Sequence, residues 1–197
     1  MIRRSWLFRF VIVAWFVPVA CAQGASSVRT LVDQLNQART TDRAMHQLVE
    51  VAKRDADARS YLAQQLPGMI DKEASDEVWL NAVRLSGILK VSQAVPSLHK
   101  ALSRGRLGGS IAYSMTAEAQ LDDDAVGKAL SQVGDLAIPA LKDLLQSSNR
   151  ISRRRGVRIL CLMNTRSSRK LLRDQLSGEA DAGIIDLINQ TLQAPSE

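Results

Sequence analysis

Four stretches of this chain can be laid over one another, and that internal repetition narrows its possible folds more than any other feature. They are Ala58-Arg59-Ser60-Tyr61-Leu62, Ala94-Val95-Pro96-Ser97-Leu98, Ala137-Ile138-Pro139-Ala140-Leu141 and Ser168-Arg169-Lys170-Leu171-Leu172. Each runs on at helical spacing to a later leucine: Leu66, Leu102, Leu145 and Leu176. The aligned leucines 62, 98, 141 and 172 lie 36, 43 and 31 residues apart, periods that belong to stacked helix pairs. Proline at the third position of two copies suits a first helical turn, where a missing N–H leaves nothing unpaired.

An apolar helical stripe precedes three of the copies. Met45, Leu48, Val49 and Ala52 form one, Val78, Ala82, Leu85 and Leu89 the next, and Val126, Leu130 and Val133 the third, all at three- and four-residue spacing. Helix starts are marked by Thr41 with Asp42, Ser75 with Asp76, Asp122 to Asp124, and Ser148 with Asn149. These signals predict helices over 26–39, 42–54, 57–66, 76–91, 94–103, 110–119, 124–133, 138–146, 150–163 and 168–177, with a last one near 180–192. The run 157–163 alone would pass for a buried strand, but no neighbouring segment offers it a partner, so it reads as helix.

Composition agrees. After residue 22 the chain has no Phe, one Trp (Trp79) and two Tyr (Tyr61 and Tyr113). Strands draw on aromatic and β-branched residues, so the chain is a poor candidate for a β-sandwich or barrel. The shortage of rings also argues against a stacking platform for single-stranded nucleic acid, and no nucleic-acid partner is expected.

Segment 77–102, with Glu77, Val78, Ala82, Leu85, Gly87, Leu89, then Ala94-Val95-Pro96 and Leu98, resembles a HEAT repeat of the short kind also seen in phycobilisome lyases. Segment 126–145 is similar, through Leu130-Ser131-Gln132-Val133-Gly134-Asp135 followed by Ala137-Ile138-Pro139 and Leu141. Trp79 stands where the family pattern has Arg, and the second of these copies is one residue short. The first and fourth copies keep only the apolar skeleton, so the resemblance spans roughly 42–177. It implies an all-α, right-handed α–α superhelix of the HEAT/armadillo type with about four to five helix pairs. In such stacks the second helix of each pair lines the concave face. That places the helices near 57–66, 94–103, 138–146 and 168–177 on the docking surface, with Ser97, Lys100, Ser103, Lys142, Arg169 and Arg173 exposed there. The motif consists of packing residues and names no activity.

The start of the chain reads as an address. Arg3, Arg4 and Arg9 precede an apolar run from Phe10 to Ala22. That run is too short for a spanning helix of roughly 20 residues and suits a signal-peptide core of about 7–15. Ala20-Cys21-Ala22 supplies small residues before Gln23. The expected organisation is a signal peptide over 1–22 and a helical repeat domain over 23–197, exported from a bacterial cytoplasm to the periplasm or beyond. Two other readings stay open: Cys21 as the lipid acceptor of a lipoprotein, and the segment as an uncleaved anchor. Once Cys21 is removed or lipidated, Cys161 is alone in an apolar run and reads as a small buried hydrophobe.

Reactive groups are sparse. His46 and His99 have no second ligand at a zinc-like spacing. Asp122-Asp123-Asp124 lacks the alternating oxygens and glycine of a calcium loop and suits a helix N-terminus. The loop Arg104-Gly105-Arg106-Leu107-Gly108-Gly109-Ser110 matches no phosphate-loop spacing and reads as a turn between repeats. Ser167, three before Lys170, reads as a helix cap. No catalytic residue, metal or cofactor is therefore expected, and the chain reads as a binding protein and not an enzyme.

Charge carries the remaining signal. Between Arg150 and Arg173 lie nine bases and no acid, and without them the chain holds more acids than bases. Arg153, Arg154, Arg155, Arg158, Arg169, Lys170 and Arg173, with Lys100 and Lys142, are the candidate partner-binding residues. A basic repeat would steer an acidic protein partner, or an anionic envelope surface, onto the docking face. The bland alternative is a solvated face partly paired with acids of neighbouring helices. The expected function is a protein-binding adaptor or scaffold of the cell envelope. The alternatives are an accessory, lyase-like HEAT protein and a lipid-anchored envelope-binding module.

Overall fold

The apolar stripes close over one another in the structure, a computed structural model that describes residues 20–35, 41–72, 75–103 and 124–194. Among the described residues there is no strand, and the α-helices are α1 (Ala20–Leu35), α2 (Thr41–Arg54), α3 (Ala56–Asp71), α4 (Asp76–Ile88), α5 (Val95–Ser103), α6 (Ala125–Val133), α7 (Ile138–Leu145), α8 (Arg150–Met163), α9 (Arg166–Leu176) and α10 (Ala182–Gln193). Short 3-10 turns, Ser92–Ala94 and Gly134–Ala137, lead into α5 and α7. The fold is all-helical, as expected.

Local chemistry sets the boundaries. The Ser75 hydroxyl accepts the Val78 N–H, the Asp124 carboxylate accepts that of Gly127, and the Asn149 side chain accepts those of Ile151 and Ser152. Each satisfies donors that the first turn of a helix leaves free. Asp55, Thr165 and Asp181 do the same for α3, α9 and α10. Three expected boundaries are corrected. Helix α1 is already formed at Ala20, before the expected start at 26. Helix α3 does not stop at 66 but carries Pro67 inside it and continues to Asp71. Ile70 there adds one more buried turn to the stripe of Ala58, Leu62 and Leu66, and that packing holds the helix past the missing N–H. Helix α4 ends at Ile88 and not 91, because Lys90 turns into the left-handed region (φ 53°) with its N–H on the Gly87 carbonyl. The helix expected over 110–119 lies outside the described residues.

The alignment of the four segments survives in three dimensions. Leu62, Leu98, Leu141 and Leu172 are all fully buried, and so are Ala94, Ala137 and Ser168, with Ala58 nearly so. The helices reach this burial by near-neighbour packing. Odd helices lie on odd ones, α1 on α3, α3 on α5 and α5 on α7, while even helices lie on even ones from α2 through α10. The rows meet where α3 touches α4, α5 touches α6 and α7 touches α8. No helix makes more than a fringe contact with one beyond its next-but-one neighbour among the described residues. Such packing lets each pair cover the stripe its neighbour cannot bury alone.

The tightest crossing joins α4 to α6. A Cβ at Gly87 would stand 2.7 Å from the Cα of Ala129 and would also strike the Gln132 side chain. Gly68, exposed on α3, has nothing within 4 Å of the same position. Opposite outcomes are expected for one chemical change. Gly87→Ala should destabilise by about 1–3 kcal/mol through overpacking against backbone that cannot yield. Gly68→Ala should stabilise by about 0.5–1 kcal/mol through helix propensity. Urea denaturation of both variants checks this, and equal shifts would refute the close crossing.

Candidate partner-binding surface

The basic block from 150 to 173 does not form one continuous cationic face. Arg155 is buried on α8, and its guanidinium grips both oxygens of Asp124 at 2.6 and 2.7 Å while donating to the Leu102 carbonyl at 3.2 Å. Asp124 is itself the N-cap of α6. One side chain therefore ties the end of α5 and the start of α6 to α8. Arg169 is buried too. It donates to the Asn164 side chain and to the carbonyls of Thr191, Leu192 and Ala194, closing the C-terminal end of α10. Neither is available to a partner. Both were candidates from the charge pattern alone, and both are corrected to structural roles, because burial demanded a partner for each charge and the fold supplied one.

Arg153 is half-buried. It makes two 3.0 Å bonds to Glu179 and two of 3.1 Å to the carbonyls of Ser147 and Ser148, just past α7. Arg150 pairs with Asp181. Arg154 and Arg158 are half-buried. What faces water is Arg166, Lys170 and Arg173 on α9, at i, i+4 and i+7 and so on one face, together with Lys142 on α7 and Lys100 on α5. Lys100 bridges to Asp71 at the end of α3 over 3.1 Å. Ser97, expected to be exposed, is buried and donates to Asp71 at 2.8 Å. Ser103 is exposed, its hydroxyl on the His99 carbonyl.

The groups weighed for chemistry fall apart spatially. His46 is exposed on α2. His99 lies 3.8 Å from Asp143 of α7, a carboxylate that is itself mostly in water. Cys161 is half-buried on α8, and burial pushes its thiol up, away from the reactive thiolate. Among the described residues no group of three His, Cys, Asp or Glu side chains could hold a metal ion, and no helix is long and apolar enough to cross a membrane. Asp122, Asp123 and the 104–110 loop lie outside the described residues. Ser167 is not the cap of α9; Thr165 is. Both hydroxyls instead donate to Asp135 at 2.6 Å, and these bonds hold its carboxyl below the usual range. Sequence reasoning overlooked Glu179, Asp181 and Asp135 as partners. Only Asp135 had carried a signal, as the last residue of the Gly134-Asp135 pair.

Comparison of this chain with family models, with curated proteins and with solved structures returns no match. The class defined by the coordinates is an all-helical protein whose described helices pack together.

Two outcomes follow from the arginine contacts. Arg155→Ala leaves Asp124 buried without its counter-charge, and a loss of about 3–5 kcal/mol is expected. Denaturant unfolding measures it, and a loss below 1 kcal/mol would show that the pair is dispensable. The second concerns acid. The Arg153 bonds, helped by the Asp181 N–H and the Gln175 amide, hold the Glu179 carboxyl down at about 2, against an ordinary 4.5, while burial opposes them. A depressed carboxyl contributes stability above the unfolded value, so this contribution should be lost as pH falls from 4.5 toward 2. Thermal midpoints across that window should drop less steeply in Glu179→Gln than in the parent.

Proposed function

We propose that the chain is an exported, non-catalytic α–α superhelix of HEAT-like pairs that works as a protein-binding adaptor in a bacterial cell envelope. The observation that supports this reading is the equivalent burial of Leu62, Leu98, Leu141 and Leu172 in helices whose main contacts, among the described residues, are with near neighbours. A stack of that kind keeps its stability inside each interface and leaves the outward faces of α3, α5, α7 and α9 free to vary for recognition. The cations left in water on those faces, Lys100, Lys142, Lys170 and Arg173, favour an acidic protein partner. Charges at an exposed rim act on encounter rate and specificity more than on final affinity. The expectation of export rests on Arg3, Arg4, Arg9 and the apolar run to Ala22.

The test is capture from the envelope fraction of an expressing bacterium, comparing the parent with Lys142→Glu/Lys170→Glu/Arg173→Glu. Recovery of the parent's partner should fall about tenfold in the variant at low salt and converge at high salt, where screening removes the difference. Equal recovery at low salt would remove the cationic face from the proposal, and no specific capture by the parent would remove the adaptor. Fusion of residues 1–40 to a reporter active only outside the cytoplasm tests export separately.

A further inference from the structure

Four large apolar side chains stand in water among the described residues: Ile88, Leu136, Ile151 and Leu162, exposed by 43, 63, 55 and 61%. Three of them hold equivalent places. Ile88 ends α4, Leu136 lies in the 3-10 turn that follows α6, and Leu162 is one residue short of the end of α8. Those three ends lie together. The ends of α4 and α6 meet where Gly87 faces Ala129 and Gln132. The turn after α6 is bound to the start of α9 through Asp135, Thr165 and Ser167, directly beyond the end of α8. The apolar tips thus line one edge, about 8–10 Å from one helix end to the next at ordinary helix spacing. Cations flank them. Lys90 is exposed in the left-handed turn after α4, and Arg166 is exposed as the first residue of α9. The acid within the row, Asp135, has a hydroxyl on each oxygen. Ile151 sits at the opposite end of α8, away from this edge.

We propose that this edge seats the protein on an anionic phospholipid surface. Ile88, Leu136 and Leu162 enter the boundary of the acyl chains, and Lys90 and Arg166 meet headgroup phosphates. The shape of the row favours a lipid plane over a protein helix. A helix docks by laying its apolar face into a groove, whereas these side chains stand singly on successive turns and no two share a helix. A plane reaches all three at once. Interfacial seating draws on both buried apolar area and attraction of bases to an anionic leaflet, and the edge offers both. The inference does not depend on the adaptor reading: it shares only Arg166 with the cationic α9 face, and the variants that test that reading leave Arg166 unchanged.

The experiment is sedimentation of the full chain with vesicles of phosphatidylglycerol or of phosphatidylcholine, beside the variants Ile88→Gln/Leu136→Gln/Leu162→Gln and Lys90→Gln/Arg166→Gln. All three proteins carry the same N-terminal apolar run, so differences between them report the edge. Partition onto phosphatidylglycerol should fall about tenfold in the apolar variant, and the paired cation variant should lose the preference for phosphatidylglycerol over phosphatidylcholine. Circular dichroism and the thermal midpoint verify the fold. If the triple variant unfolds, Leu136→Gln alone supplies the reading, with a smaller loss in the same direction. Equal partition of parent and edge variant overturns the proposal. So does an edge variant that loses binding to polyglutamate while its vesicle partition is unchanged, which would assign the edge to an acidic polypeptide.

Discussion

The close approach of α4 and α6 is the contact on which the rest of the stack depends. Gly87 gives α6 room to bring Ala129 against the α4 backbone, and α4 is then covered on nearly every side, with Trp79, Ala82, Val83, Leu85 and Ser86 all out of water. Helix α4 also rests on α2 and α3, so this crossing joins the part of the molecule before residue 103 to the part after 124. Close-packed interiors respond to a single added methyl, and here the obstacle would be main chain with no rotamer to yield. Small residues at this crossing, Gly87 and Ala129, set the distance between the two helices.

The arginines solve a different problem with one recurring device. Four of them reach from one helix to carbonyls at the end of another: Arg59 to Leu89, Arg153 to Ser147 and Ser148, Arg155 to Leu102, and Arg169 to Thr191, Leu192 and Ala194. The last carbonyls of a helix have no partner within it and carry the negative end of its dipole, so a guanidinium satisfies both needs. Arg153 and Arg155 add a carboxylate from elsewhere in the chain, which makes each of them a junction of three segments. A basic excess that looks like a recognition surface in one dimension is largely a set of internal clamps. Within the block from 150 to 173, Arg166, Lys170 and Arg173 remain in water on α9, and with Lys90, Lys100 and Lys142 they carry the functional proposals.

Helix positions, the starts at Ser75, Asp124 and Asn149, and the equivalence of the four leucines were all readable before any coordinates. They depend on residues within a turn or two of one another, where spacing and side-chain chemistry suffice. Pro67 marks the edge of that competence, since a local rule ends the helix and the burial of Ile70 carries it on. Ser97 and Arg169 mark it again. Their positions on α5 and α9 predicted exposure, yet each faces a group that arrives from another helix, Asp71 for the serine and the end of α10 for the arginine.

The sequence by itself determined that this protein is helical, where several of its helices begin, and which aliphatic faces seek cover, because helical periodicity and capping are short-range properties of the chain. Only the tertiary structure decided which charges are free. Arg153 meets Glu179 across 26 residues, Arg155 meets Asp124 across 31, and Asp135 meets Ser167 across 32. No periodic signal links such pairs. A charge is fixed or left in water according to what the packed neighbours bring within about 3 Å of it, and that is settled when the helices stack.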